Sequence, residues 1–321
     1  MLVISDRDVD ELADFPTVIE KVEEALKEVS RGRYMMPVRV RITSPGSYGP
    51  LEVMPAALFD TKALGLKVIS GTSQRRAMKN YSVVLMHDYQ DGALNCIING
   101  SRLTQLRTGA ISAVATKYLA RKDLRTFGVI GAGEQGKAQL EAVCSLFKFE
   151  KVFILDISKI RAEKLAEYGH SKLGINFEVL ESADNLVKKS DVICTATTSS
   201  VPMLHGSNVP NGVHINAIGS DLPTSKELGP DLLTKAKLVV DSPDQAIEES
   251  GDLEQIKEGK LPRSTIYAKL SEIVGGLKPG RTEYSEITIF KSVGIAIQDV
   301  VTANFIYERA LKKGMGIEVK L

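Results

Sequence analysis

The run TFGVIGAGEQG, residues 126–136, constrains this chain more than any other segment. A buried-strand pattern breaks into glycines at Gly131, Gly133 and Gly136, and a helical stretch follows from Gln135 to about Phe147. The next strand, KVFILD, ends in Asp156, 20 residues beyond the last glycine (156 − 136). Each position has its own physical reason. Gly131 permits a tight turn, Gly133 lets backbone approach a pyrophosphate, and Gly136 lets helix and strand pack closely. Ala132, Glu134 and Gln135 complete the loop, whose helix N-terminus offers unpaired N–H groups and a positive dipole end. The pattern predicts a dinucleotide site. A carboxylate at Asp156 accepts hydrogen bonds from both ribose hydroxyls and repels a 2′-phosphate, so NAD is expected over NADP. Beyond Ile157, the nearby Lys159 and Arg161 keep NADP open.

Strands and helices alternate around this motif. DVICTAT (191–197), HINAIGS (214–220) and KLVVD (237–241) read as further apolar strands, so the middle of the chain is expected to form a doubly wound parallel sheet. The region from Asp241 to about Gly280 is polar and Gly-rich, and EITIF (286–290) reads as one more strand. The first third lacks the βαβ rhythm. A helix is expected over 17–31, ended by Gly32, followed by strand candidates at 38–42, 51–54, 63–69, 82–87 and 93–98. The last two flank Asp91-Gly92, a hairpin signal. Helices are expected over 102–119, 161–168 and 295–313. In the last, Ile297, Val300, Val301, Asn304, Phe305, Tyr307 and Leu311 lie near one side, which is expected to pack back on the first domain. The expected class is α/β: a Rossmann domain over 122–299, and an α+β substrate and dimerisation domain built from 1–121 and 300–321. A length of 321 residues suits two cores.

Composition removes other classes. With 41 basic and 40 acidic side chains the net charge is +1, so no nucleic-acid partner is expected. The apolar runs are far shorter than the roughly 20 residues of a membrane span. The opening MLVISDRDVDEL is unlike a basic, apolar leader, and a cytoplasmic location is expected. Cys96, Cys144 and Cys194 are scattered, without a CxxC pair, and are expected to be reduced and packed. His87, His170 and His205 have no partners suggesting a metal site or triad, His214 is expected to be structural, and no HExxH, GxSxG or P-loop lysine is present.

Several segments in order along the chain resemble the ornithine cyclodeaminase/mu-crystallin family: LEVMPA (51–56), LGLKVIS (64–70), LTQLRTGAISAVATKYLA (103–120), VIGAGEQ (129–135), HINAIGSD (214–221) and ITIFKSVGIAIQD (287–299). Archaeal-type alanine dehydrogenases look nearest, through YLARKD and EITIF…GIAIQD. The resemblance implies a homodimer formed by joining sheets and NAD-linked chemistry at the Cα–N bond of a small amino or imino acid. It also implies roles. Arg39 and Arg107 match the family's carboxylate clamp, a task that suits a guanidinium, with Arg41 a competing choice two residues on. Lys67, inside an apolar strand, matches the catalytic lysine, and burial is expected to lower its pKa. Asp221 matches the carboxylate that exchanges the amino-group proton, which mu-crystallins typically lack. Glu52 occupies a position that is also Glu in ornithine cyclodeaminases. There it would steer water or a side-chain amine; otherwise it would pair with Lys67 or a clamp arginine. The expected cofactor cradle further includes Thr108, Thr195, Ala196, Thr197, Ile218, Gly219, Ser220, Lys291 and Val293.

The chain departs from the family after the lysine strand. Many members read VN-x-HP there, whereas this one reads VISGTSQRRAMKN, with Arg75, Arg76 and Lys79 in a basic loop that is either solvated or recognises a second acidic group. Three functions therefore stand side by side: an NAD-dependent dehydrogenase or imine reductase, an ornithine cyclodeaminase that recycles its NAD, and a binding protein without turnover.

Overall fold

The computed structural model describes residues 1–43, 49–72, 79–220 and 222–320. Its contacts divide the chain into one unit of Met1–Arg107 with Ile295–Leu321 and a second of Thr108–Gly294. The sequence reading sets these boundaries at 121/122 and 299/300. The first break falls inside the helix Gly100–Leu119.

The first unit is a mixed sheet. Its strands run in the order Ile317–Glu318, Leu2–Ile4, Leu94–Asn99, Lys79–His87, Ala63–Thr72, Leu51–Leu58 and Tyr34–Met35, and Val40–Ile42 also pairs with Leu51–Leu58. The Asp91-Gly92 hairpin forms, with Gly92 at φ +77°. Strand alternation separates two faces. Glu52, Met54, Ala56 and Leu58 point to the buried face, and Lys67 stands directly across from Met54. The opposite face carries Val40, Ile42, Leu51, Tyr81 and Val83, all exposed.

Two helices pack with this sheet. Phe15–Ser30 buries Val18, Ile19, Val22, Ala25 and Leu26 at helical spacing and leaves Val29 partly exposed. Ala296–Lys313 contacts the strands Leu51–Leu58 and Ala63–Thr72 and the helix Phe15–Ser30. Its register differs from the expected one. Residues 296–303 are buried all round, followed by Ile306 and Ala310, while Leu311 is exposed. Burial on every side of the helix start thus encloses Gln298, Asp299 and Thr302 along with the aliphatic side chains.

The second unit holds a parallel sheet in the order Asn176–Val179, Lys151–Leu155, Thr126–Ile130, Val192–Thr195, His214–Ala217, Thr288–Lys291, Lys237–Val240 and Ile266–Lys269. Alternate side chains feed two cores, as in a sheet covered on both faces. Phe127, Val129, Val152, Ile154, Val192 and Cys194 enter one. Phe153, Ile193, Ile215, Leu238, Val240 and Ile289 enter the other. The order reverses between Thr126–Ile130 and Val192–Thr195, and the crevice at the carboxyl ends of such strands is where doubly wound sheets bind ligands. The polar, Gly-rich region 241–280 contains the helices Pro243–Glu249, Glu254–Lys257 and Leu270–Val274 and the edge strand Ile266–Lys269. Among the described residues no helix is long and apolar enough to cross a membrane, and no cluster of His, Cys, Asp or Glu is arranged to hold a metal ion.

Candidate active site

The glycine motif lies at the order reversal. Gly131, at φ +100°, donates its N–H to the Leu155 carbonyl at 2.8 Å. Gly133 caps the helix Glu134–Leu146 without any side-chain hydrogen bond, and open space surrounds the place where a Cβ would stand. Asp156 follows the next strand, where its Oδ2 accepts from Ala132 N and its Oδ1 from Ser158 N, both at 2.7 Å. The carboxylate is thereby aimed at the loop. Gln135 Oε1 is buried with no partner among the described residues. Ile157 and Arg161 are exposed beside Asp156. A bare helix N-terminus, room beside Gly133, an aimed carboxylate and an unpaired acceptor fit a dinucleotide.

Three of the remaining cradle residues, Thr195, Thr197 and Gly219, bond a carboxyl that the sequence reading overlooked. Glu227, fully buried, accepts from Thr195 Oγ1 at 2.6 Å, Gly219 N at 2.9 Å, and both the N–H and hydroxyl of Thr197 at 2.8 Å. Burial pushes its pKa above the ordinary carboxylate value, against the pull of Lys291. Glu227 thus ties together the loops that leave two adjacent parallel strands. Lys291, itself fully buried, lies 3.5 Å from Asp252 Oδ2 and donates to the Ala217 carbonyl. Ser220 donates to the Ser225 carbonyl, and the N–H of Val293 donates to Asp241 Oδ2. Of the expected cofactor contacts, Thr195, Ser220 and Lys291 are therefore buried and bonded within the protein. Thr108 is buried as well, with its carbonyl accepting from Gln139. Ile218 is buried; Ala196 and Gly219 are partly exposed.

The expected substrate residues meet in the first unit. Lys67 is 1% exposed. Its Nζ donates to Thr104 Oγ1 at 2.6 Å and to Asp299 Oδ1 at 3.0 Å. Arg107 brings its Nε to the same Asp299 oxygen at 2.9 Å and its Nη1 to Gln298 Oε1 at 2.8 Å. Burial lowers the Lys67 pKa to about 8, with Asp299 pulling the other way and Arg107 adding to the fall. Burial also opposes ionisation of Asp299, yet Arg107 and Lys67 together hold its carboxyl below the usual carboxylate value. The result is a charged, dry triad in which two cations share one anion.

Glu52 pairs with both candidate clamp arginines and makes no bond to Lys67. Arg39 Nη1 donates to its Oε2 at 3.0 Å, and Arg41 Nε donates to its Oε1 at 2.9 Å. Arg41 stands directly across from Glu52 in the sheet, which brings the two side chains together. Asp221 and the loop residues Arg75 and Arg76 lie outside the described residues, and Lys79 is described only as the start of a strand.

His214 is buried, bonded to Thr288 and Asn216, and burial lowers its pKa to about 3, which suits a neutral structural imidazole. All three cysteines are free thiols, and burial raises the pKa of each.

The profile of the ornithine cyclodeaminase/mu-crystallin family matches residues 1–314. A delta(1)-pyrroline-2-carboxylate reductase of Bacillus cereus is 37% identical over 325 aligned residues, covering all of both chains. The structure of the Thermococcus litoralis delta(1)-pyrroline-2-carboxylate reductase in complex with NADH and L-proline superposes with a TM-score of 0.95. It is 41% identical and covers 99% of this chain and 100% of that one. An archaeal alanine dehydrogenase dimer with bound NAD gives a TM-score of 0.93 at 34% identity, covering 100% and 99%. Both reductases thus share more residues with this chain than the alanine dehydrogenase does.

Proposed function

This chain belongs to the ornithine cyclodeaminase/mu-crystallin family, and from that premise we propose that it is an NAD-dependent oxidoreductase reducing a small α-imino acid. The substrate to assay first is pyrroline-2-carboxylate, giving L-proline. The observation that carries this reading is the buried triad of Lys67, Asp299 and Arg107. Two cations on one carboxylate leave net positive charge for a substrate carboxylate. The solved reductase of this family with NADH and L-proline supports the choice of substrate.

In this reading Arg107 and Lys67 bind the substrate carboxylate, and Lys67 in its ammonium form draws electron density toward itself. Glu52 holds Arg39 and Arg41 as a cationic wall. A Glu52 engaged on both oxygens by arginines is poorly placed to steer water or an amine, which favours a reductase over a cyclodeaminase. Asp221 supplies or removes the proton at the substrate nitrogen. NADH, bound at the glycine motif, supplies the hydride for the C=N bond. Asp156 selects NADH over NADPH.

The exposed apolar face of Val40, Ile42, Leu51, Tyr81 and Val83 is proposed to pair with a second copy of the chain, since a patch of this kind marks an interaction surface. A monomeric mass by light scattering would rule this out.

A spectrophotometric panel separates the functions. Pyrroline-2-carboxylate with NADH is expected to consume NADH. Ornithine with NAD giving proline and ammonia without an NADH signal would assign the lyase instead, and net NADH from L-alanine would assign the dehydrogenase. Asp221→Asn is expected to keep its affinity for NADH and to lose turnover by roughly 100-fold or more. Unchanged turnover would remove Asp221 from the mechanism.

A further inference from the structure

Asp299 joins the two cations of the triad, yet half of its carboxylate is unused. Its Oδ1 takes both Lys67 and Arg107. Its Oδ2 is buried and has no hydrogen-bond partner among the described residues. A buried carboxylate oxygen left without a donor is costly, and such groups are rare in folded proteins. Two further orphans stand on the same helix. Gln298 Nε2 is a buried donor without an acceptor, and Thr302 Oγ1 is a buried hydroxyl without a partner. Position 302 is a helix-surface neighbour of both 298 and 299, and Arg107 bonds both Gln298 and Asp299. The start of Ala296–Lys313 therefore carries a carboxylate with one unpaired oxygen, an amide with an unpaired N–H and an unpaired hydroxyl, with Lys67 and Arg107 on the other carboxylate oxygen.

We propose that Asp299 Oδ2 is the acceptor for the N–H of the substrate's α-nitrogen, so that the site recognises a nitrogen-bearing acid and rejects its oxygen counterpart. This rests on the reading of the protein as an imino-acid reductase. An α-amino or N-protonated α-imino acid carries a carboxylate and a cationic nitrogen on the same α-carbon. The triad offers the complementary charges, two cations and an anion joined through one carboxyl group. A 2-oxoacid or a cyclic ether acid has the carboxylate but no N–H, and its binding would leave Oδ2 unpaired. Asp299 is suited to remain an acceptor, because Arg107 and Lys67 keep it ionised.

The test compares L-proline with (S)-tetrahydrofuran-2-carboxylate, which replaces the ring N–H by oxygen at nearly constant shape, on enzyme saturated with NADH. Calorimetry on the wild type is expected to give roughly 10- to 100-fold tighter binding of proline, the range of a charge-assisted hydrogen bond. Asp299→Asn is expected to reduce that preference to within about threefold, with the dissociation constant for NADH, read by nicotinamide fluorescence, unchanged. Equal affinity of the two acids for the wild type would overturn the proposal and assign Oδ2 to an internal water only, and this comparison needs no variant. A folded Asp299→Asn enzyme that keeps the preference would overturn it too. The binding comparison reads no turnover, so it fails independently of the imine-reduction assay.

Discussion

Lys67→Met is expected to reduce kcat/KM for imine reduction by roughly 10²- to 10⁴-fold, the range over which a positioned proton-handling or polarising group contributes. Methionine matches the length and apolar stem of lysine and removes only the ammonium. Arg107 stays on Asp299 at 2.9 Å, so the buried carboxylate keeps a cation, and affinity for NADH is expected to be unchanged. The wild-type pH profile carries the same signature. Burial lowers Lys67 to about 8 from the ordinary 10.5. Turnover that uses the ammonium is therefore expected to be full below pH 8 and to fall about tenfold per unit above it. In Lys67→Met that limb disappears. Stability moves the other way. Between about pH 8 and 10.5 the unfolded chain keeps a proton that the folded lysine has released, so this group adds stability as pH rises through that window. A thermal-shift series across this range should show a rise in the wild type that the variant lacks. An alkaline limb that persists in Lys67→Met would assign the titration to another group.

The difference between what could and could not be read from the chain follows from the range of each signal. The dinucleotide loop was legible because its constraints are local: a strand, three glycines and a carboxylate fall within 31 residues, from Thr126 to Asp156. Lys67 was legible as an anomaly, a charge inside an apolar strand. Its partner was not. Asp299 lies 232 residues away, in a helix whose hydrophobic pattern places the buried side on Ile297, Val300 and Leu311. The helix start is in fact enclosed on all sides, so the polar residues Gln298, Asp299 and Thr302 became interior groups that periodicity assigns to solvent. Glu227 was invisible for a related reason. It serves the backbone N–H groups of Thr197 and Gly219 and the hydroxyls of Thr195 and Thr197, and the threonines lie 30 and 32 residues away, so no local spacing marks it. The short helices of 243–274 were missed because Pro243–Glu249 buries Gln245 and Glu249 together with Ala246 and Ile247, which dilutes the apolar stripe.

Within the glycine motif, two one-methyl changes should separate fold from ligand binding. In Gly136→Ala the new Cβ would stand 1.8 Å from the Gly131 carbonyl oxygen. That atom belongs to backbone held by the Gly131 N–H bond to Leu155, so no side chain can swing aside. Overpacking of this kind costs about 1–3 kcal/mol or more, and at roughly 2–4 °C per kcal/mol for a unit of this size the melting temperature should drop by several degrees. The helix N-terminus must shift with it, so NADH affinity should fall as well, by 100-fold or more on the proposed reading. Gly133→Ala is the contrasting case. Nothing stands within 4 Å of its Cβ, and its φ of −83° is open to alanine, so stability should stay within about 0.5 kcal/mol of the wild type. The methyl group would nevertheless occupy the space through which a pyrophosphate approaches the helix N-terminus. Weakened NADH binding without a change in melting temperature is thus the expected result at Gly133, and loss of both at Gly136. Full NADH affinity in Gly133→Ala would mean that the dinucleotide does not use this loop, and would undo the assignment of the cofactor site.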